Sequence, residues 1–194
     1  MLSIVQNFVC TKSERLNVVH RNTVKLGNTF PNTDFFINYN SDINFESIKK
    51  SYLENIPKIN LYNDLTKDWA LVTLALMKEV QTPYVMYICE DMEVNCSEEE
   101  MWNALNEFMN SDYNLCFLSK IGKYLDEQFI NGYTPYNDIP SPGYKPLEHG
   151  YFYLGKHAPH KRVPVDAIFK TKWLTERLKE FLEHGEECTH DIPF

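Results

Sequence analysis

Three carboxylates stand together in the run Glu90-Asp91-Met92-Glu93, directly after the apolar segment Tyr84–Cys89. This segment has no polar alternation, which is typical of a strand covered on both faces in a parallel sheet. In open α/β sheets, ligands bind beyond the carboxyl ends of the strands. Asp91 and Glu93 can project to one side of an extended segment and share a Mg²⁺ or Mn²⁺ ion that also binds phosphate oxygens. The alternative is an acidic run that only solvates the end of the strand.

Glycine-rich and nucleophile signatures are absent from the sequence. It has seven glycines and contains no G-x-G-x-x-G, G-x-x-x-x-G-K-[ST], G-x-S-x-G or H-E-x-x-H motif. These absences argue against dinucleotide oxidoreductases, P-loop enzymes and α/β-hydrolases.

The charge balance narrows the class of partner. The chain of 194 residues has 27 acidic and 19 basic residues, which gives a net charge of −8. An acidic chain is a poor match for a phosphate backbone, so no nucleic-acid partner is expected. A phosphorylated small molecule remains compatible with this charge, because a bound cation neutralises both the ligand and the carboxylates.

Cysteine usage and the apolar runs indicate a cytoplasmic protein. The five cysteines are scattered and none forms a C-x-x-C pair, as is typical of reduced proteins. The N-terminus has no basic region ahead of an apolar run, so no signal peptide is expected. No stretch approaches the roughly 18 apolar residues of a membrane span, so no transmembrane segment is expected.

Strand-like and helix-like segments alternate through residues 1–120. The strand-like segments are Leu2–Val9, Asp34–Tyr39, Lys58–Tyr62, Tyr84–Cys89 and Asn114–Ser119. The helix-like segments begin with Ser13, Phe45, a Thr66 cap and a Ser97 cap. Gly27 is predicted to end the first helix. The third, from Trp69, is apolar over most of its circumference, which predicts deep burial. This order predicts an α/β fold with a mostly parallel, open, Rossmann-like sheet and helices on both faces.

The last third of the chain has a different pattern, rich in proline and tyrosine. Tyr151–Leu154 and Val163–Phe169 are predicted strands, and a helix is expected from a Thr171 cap to Gly185. We expect this C-terminal hairpin and helix extension to pack on the open end of the sheet. No linker divides the chain, so residues 1–194 are predicted to form a single domain.

Several of these segments resemble GT-A fold glycosyltransferases, close to the family-2-like group. Trp69–Glu93 resembles their helix, strand and D-x-D-type motif, which reads E-D-M-E here. Ser3–Asn7 with Ser13–Leu16 is similar to their first strand and helix, Asp34–Asp42 to their second strand, and Val165–Leu174 to a later strand and helix. The resemblance implies a GT-A-type fold and a metal-dependent, inverting transfer of a sugar from a nucleotide-diphosphate donor to a hydroxyl acceptor.

The resemblance also implies which residues bind the metal and move the proton. Asp91 and Glu93 would be the ligands of Mn²⁺ or Mg²⁺, and His190 is a further candidate ligand. Asp191 matches the carboxylate that serves as general base for the acceptor hydroxyl.

The nucleotide would be bound in the first half of the chain, residues 1–120. By the same resemblance, Gln6, Val9 and Thr11 approach the base, Asn40 lies near the ribose, and Glu90 lies beside the diphosphate. A UDP-sugar is the favoured donor. The acceptor is a glycan or another hydroxyl compound, bound by residues 121–194.

Two other functions stay open at this point. The first is a catalytically inactive GT-A-like module that recognises a nucleotide or a glycan. The second is a nucleotidyltransferase, which also uses paired carboxylates and a metal on a similar sheet. Such an enzyme normally has a glycine-rich, basic loop after the first strand, where this chain has Val9-Cys10-Thr11-Lys12.

Overall fold

The computed structural model describes residues 1–9, 13–40, 45–65, 68–88, 98–111, 114–117, 144–146, 152–154 and 167–184. The strands are β1 (Leu2–Val9), β2 (Asp34–Asn40), β3 (Ile59–Tyr62), β4 (Tyr84–Tyr87), β5 (Leu115–Phe117), β6 (Tyr144–Pro146), β7 (Phe152–Leu154) and β8 (Ala167–Lys170). The helices are α1 (Ser13–Thr29), α2 (Phe45–Asn55), α3 (Trp69–Glu79), α4 (Glu98–Met109) and α5 (Thr171–His184).

All eight strands belong to one sheet, in the order β3-β2-β1-β4-β8-β5-β7-β6. The first four are parallel neighbours. Strand β8 runs antiparallel to both β4 and β5, and the pairs β5–β7 and β6–β7 are also antiparallel. The predicted α/β fold with a mostly parallel open sheet is confirmed, with the addition that the sheet is mixed, because all pairs from β4 to β6 are antiparallel.

Side chains alternate between two apolar cores, one on each face of the sheet. On one face, Ile4 and Met86 pack in a cluster with residues of α1, α2 and α4, including Leu26 and Phe108. On the other face, Val5 packs in a cluster with residues of α3 and α5. The prediction of helices on both faces is therefore confirmed, and the period of two along each strand is its cause.

Two predicted helix ends are wrong. Helix α1 does not end at Gly27 but continues to Thr29. A Cβ atom on Gly27 would lie 2.5 Å from Cγ1 of Ile56, so the glycine lets the end of α2 pack closely against α1. Helix α3 is capped by Asp68 rather than Thr66, because a side-chain oxygen of Asp68 accepts a hydrogen bond from the N–H of Leu71 at 3.0 Å.

The most apolar helix, α3, is only partly buried. Ala70, Val72 and Leu76 face the core, whereas Leu71 is 52% exposed, so the predicted burial around most of the helix is wrong. Within the described ranges, none of the helices combines the length and the apolar character needed to cross a membrane.

The prediction that the C-terminal extension packs on the open end of the sheet is confirmed for the β6–β7 pair and wrong for β8. Strand β8 instead lies inside the sheet, because Ala167, Ile168 and Phe169 are apolar and fully buried and need cover on both faces. The following helix is tied to the turn before β4, where the hydroxyl of Thr171 donates to the carbonyl oxygen of Thr82 at 2.7 Å. The antiparallel pair β6–β7 forms the edge beyond β5.

Candidate functional site

The strand order reverses between β1 and β4. From β1 the chain moves outward to β2 and β3, and it then crosses through α3 to β4 on the other side of β1. Strands β1 and β4 are parallel, with Val5 paired to Tyr87 and the N–H of Ile88 donating to the carbonyl of Val5 at 3.2 Å. In open α/β sheets, ligands bind at the carboxyl ends of two strands at such a switch point.

The predicted metal and catalytic residues lie outside the described residues. Ile88 is 1% exposed and precedes Glu90 by two positions, so β4 leads directly into the acidic run. Six of the predicted site residues lie outside the described ranges: Thr11, Glu90, Asp91, Glu93, His190 and Asp191. Within the described ranges, no three His, Cys, Asp or Glu side chains are grouped closely enough to hold a metal ion.

Two predicted nucleotide-binding residues meet at the carboxyl edge of the sheet. Val9 is the last residue of β1 and Asn40 is the last residue of β2, and the two are partners in the parallel register. Asn40 is partly exposed. The backbone therefore places both residues at the edge that includes the switch point.

Gln6 lies deeper, on the face covered by α1. Its side chain is buried, and its Oε1 accepts a long hydrogen bond of 3.4 Å from the hydroxyl of Thr23. Its Nε2 atom has no hydrogen-bond partner in the described part of the chain. A buried donor without a partner costs free energy, so this amide can gain from an acceptor supplied by a ligand.

Two asparagines that the sequence analysis did not identify lie near the carboxyl edge, on the face of the sheet opposite to Gln6. Asn7 and Asn38 are register partners on β1 and β2, and the Nδ2 of Asn38 donates to the Oδ1 of Asn7 at 3.1 Å. Each stands two residues before the end of an otherwise largely apolar strand. That position in the sequence is the signal that would have identified them.

Asn38 also binds the chain between β3 and α3, and Asn7 binds α3 itself. The side chain of Asn38 accepts from the N–H of Asp64 at 2.8 Å and donates to its carbonyl oxygen at 3.1 Å. The Nδ2 of Asn7 donates to the carbonyl oxygen of Trp69 at 3.1 Å and to the hydroxyl of Thr73 at 2.9 Å. The first turn of α3 and the chain before it are therefore fixed to β1 and β2.

The hydrogen bonds continue from α3 to β4. The indole N–H of Trp69 donates to the hydroxyl of Tyr87 at 2.8 Å, and the two rings meet edge to face with centroids 5.8 Å apart. The hydroxyl of Tyr87 in turn lies 3.5 Å from the carbonyl oxygen of Asn7. We call these six residues the amide network: Asn7, Asn38, Asp64, Trp69, Thr73 and Tyr87.

Neutral groups dominate the interior near the site. Among the described residues, every buried polar side chain is uncharged, including Gln6, Asn7 and Asn38. Any strong charge at this edge must therefore come from the segments that follow the strands or from a ligand. The described part of this edge therefore offers hydrogen bonds from neutral groups.

Other reactive side chains in the described ranges lie away from the switch point. Burial, with a contribution from Glu107, raises the pKa of the Cys116 thiol, which keeps it protonated as a small core residue. Burial lowers the pKa of His20, which stacks on Tyr52 with ring centroids 5.3 Å apart and has its Nε2 3.0 Å from the hydroxyl of Ser51. These contacts join α1 to α2.

Comparison with known proteins identifies the fold of the chain but finds no close relative. No protein-family model and no curated protein matches the chain. Among solved structures, residues 1–349 of TarS from S. aureus match with a TM-score of 0.56 at 10% identity, over 90% of this chain and 48% of that one. The mannosyltransferase PcManGT from Pyrobaculum calidifontis, in complex with GDP-Man and Mn²⁺, matches with 0.56 at 12% identity, over 91% and 46%. A 4-diphosphocytidyl-2C-methyl-D-erythritol synthase from Anaerococcus prevotii matches with 0.57 at 13% identity, over 98% and 79%.

The chain has the fold of these transferases. The predicted resemblance to GT-A fold glycosyltransferases is thus confirmed at the level of the fold. The chain spans about half the length of the two glycosyltransferase structures, at 48% and 46%, and 79% of the synthase. Its structural neighbours include both glycosyltransferases and nucleotidyltransferases.

Proposed function

We propose that this chain is a metal-dependent, inverting glycosyltransferase that moves a sugar from a nucleotide-diphosphate donor to a hydroxyl acceptor. One observation carries the proposal. Strand β4 lies beside β1 at the topological switch point, and Glu90-Asp91-Met92-Glu93 begins two residues after Ile88, the last described residue of that segment. The proposal therefore puts three carboxylates next to the position where α/β sheets bind ligands.

In this proposal, Asp91 and Glu93 bind Mn²⁺ or Mg²⁺, with His190 as a third ligand. Carboxylate oxygens suit both hard cations. The buried polar side chains among the described residues are all neutral, so none of them could replace the metal ion as the positive charge beside a diphosphate. PcManGT, a structural neighbour, was solved with Mn²⁺ and GDP-Man. The metal would neutralise the charge that develops on the leaving diphosphate.

The nucleotide would lie across the carboxyl ends of β1 and β2. Val9, Thr11 and Asn40 would contact the base and ribose, with Glu90 beside the diphosphate. Gln6 would use its unpartnered Nε2 to donate a hydrogen bond toward the base. We favour a UDP-sugar as the donor, since a structure of TarS 1–349 was solved with UDP-GlcNAc.

Asp191 would act on the acceptor. Its carboxylate removes the proton of the acceptor hydroxyl while that oxygen forms a bond to the anomeric carbon of the donor sugar. The bond from that carbon to the diphosphate oxygen breaks, and the nucleoside diphosphate leaves with the electron pair. Attack from the side opposite the leaving group inverts the anomeric configuration. The acceptor, a glycan or another hydroxyl compound, would be bound by residues 121–194 of a single cytoplasmic domain.

The enzyme proposal is tested by product analysis with UDP-sugars, Mn²⁺ and a panel of glycan acceptors. We expect release of UDP together with a glycosylated acceptor of inverted anomeric configuration. Asp191→Asn should abolish turnover and leave donor binding unchanged. Donor binding without turnover by the wild-type chain would contradict the proposed enzymatic activity and favour the inactive binding module.

A nucleotidyltransferase is the second candidate, and one observation favours it. The Anaerococcus prevotii synthase is covered over 79% of its length, against 46–48% for the glycosyltransferases. The residues after β1 argue the other way, because Val9-Cys10-Thr11-Lys12 lacks the glycines of a triphosphate-binding loop. Release of pyrophosphate from a nucleoside triphosphate would identify this activity and contradict the glycosyltransferase.

A further inference from the structure

The amide network uses nearly all of the hydrogen-bonding capacity of its two asparagines. Both N–H groups of Asn38 are donated, to Asn7 and to the main chain of Asp64, and its oxygen accepts the N–H of Asp64. Both N–H groups of Asn7 are donated to α3, and its oxygen accepts from Asn38. No amide proton of either residue is left for a ligand. A direct donor contact from these side chains is therefore excluded, and their role must act through the segments they hold.

The contact of Asn38 with Asp64 imitates a strand pairing. One side-chain amide meets both the N–H and the C=O of a single main-chain residue, at 2.8 and 3.1 Å. The regular pairing of β2 with β3 stops at Asn38 and Tyr62. The side chain of Asn38 thus extends the sheet by two residues along the chain and holds Asp64, at the start of the β3–α3 connection, against β2.

The network also joins two walls of the proposed site. One wall is the β3–α3 connection, held through Asp64 and the first turn of α3. The other is β4, held through the bond of Tyr87 to Trp69, and β4 leads into the acidic run. Asn7 and Asn38 are 8% and 0% exposed, and the bonds of Asn7 to Asn38 and to Thr73 are buried, whereas the bonds to Trp69 and Asp64 are partly buried.

We infer that Asn7 and Asn38 are positioning residues, which set the β3–α3 connection relative to β4 so that the edge can bind the donor nucleotide. This inference rests on the proposed function. Losing the Asn38 amide removes both of its bonds to the main chain of Asp64, and losing the Asn7 amide removes two bonds from β1 to the start of α3, so either loss loosens this part of the chain from the sheet. A displacement of about 1 Å at a binding edge is enough to cost tenfold or more in affinity.

The test compares Asn38→Ala and Asn7→Ala with Asn60→Ala. Asn60 on β3 is a matched control, because its amide also donates to a main-chain carbonyl of β2, that of Phe35 at 3.2 Å, but lies outside the network. Thermal unfolding fixes a temperature at which all the proteins are folded. Titration with UDP and Mn²⁺ at that temperature then measures affinity, which a purely structural role would not change.

We expect the two network variants to bind UDP about tenfold or more weakly, while Asn60→Ala binds it as the wild type does. In hydrogen exchange without ligand, the amide of Asp64 should exchange faster in Asn38→Ala and at the normal rate in Asn60→Ala. Wild-type affinity in both folded network variants would overturn this inference and leave the proposed function intact. Absence of UDP binding by the wild-type chain itself would overturn both.

Discussion

At the level of residues, some side chains of the proposed site could be predicted from the sequence pattern, whereas the contacts of others could be learned only from the structure. The acidic run Glu90-Asp91-Met92-Glu93 was identifiable because it follows an apolar strand. Asn7 and Asn38 stand out in the sequence only as polar residues near the ends of apolar strands, and their pairing was not predictable, since it depends on the register of β1 and β2. Gln6 was identified from a resemblance, and the structure adds that it is buried with an unpartnered amide nitrogen.

Replacing Gln6 tests whether its amide serves a ligand. We expect Gln6→Met, which keeps the size but removes the unpartnered donor, to leave the free energy of unfolding unchanged or raise it by about 1 kcal/mol. UDP affinity should fall by about 2- to 10-fold, the equivalent of one hydrogen bond. Urea unfolding and titration with UDP and Mn²⁺ give the two values.

Thr23→Val is the matched control, because it removes only the long 3.4 Å bond to Gln6. It should leave UDP affinity unchanged. If Gln6→Met binds UDP as tightly as the wild type, Gln6 has no part in nucleotide binding.

At the level of elements, most strand and helix positions followed from local pattern. Strand β1 has the predicted bounds and helix α2 begins at Phe45 as predicted, because both signals depend only on neighbouring residues. The predicted end of α1 at Gly27 was wrong for a non-local reason. A glycine near the end of a helix is typical of a C-terminal cap, but here it accommodates Ile56 of another segment.

Gly27→Ala tests this explanation. Alanine favours a helix over glycine by about 1 kcal/mol, whereas the new Cβ would collide with Ile56, which is 1% exposed and has little room to move. Overpacking of this kind costs about 1–3 kcal/mol, so we expect a net loss of about 1 kcal/mol in the free energy of unfolding.

A double-mutant cycle with Ile56→Ala isolates the collision. In that background, Gly27→Ala should become stabilising, since only the helix propensity remains. Stabilisation of the otherwise wild-type chain by Gly27→Ala would show that the close approach imposes no constraint. Urea unfolding of the four proteins measures all the terms.

At the level of the whole molecule, the class of fold was predictable and the sheet order was not. Alternating strands and helices indicate an α/β fold without any knowledge of pairing. The insertion of β8 between β4 and β5 depends on contacts between residues far apart in sequence, such as Met86 with Ile168. The switch point between β1 and β4 is a property of this order, and the proposed function depends on it.

The central claim is that this edge binds a nucleoside diphosphate together with a divalent cation. Isothermal titration of the wild-type chain with UDP, in the presence of Mn²⁺ and then of a chelator, tests it most directly. Asp91→Asn is the informative variant, and Glu99→Gln on the exposed surface of α4 is its control. We predict Mn²⁺-dependent binding by the wild type and by Glu99→Gln, and binding weaker by at least roughly tenfold in Asp91→Asn. Failure of the wild-type chain to bind any nucleoside diphosphate, with or without Mn²⁺, would contradict this claim.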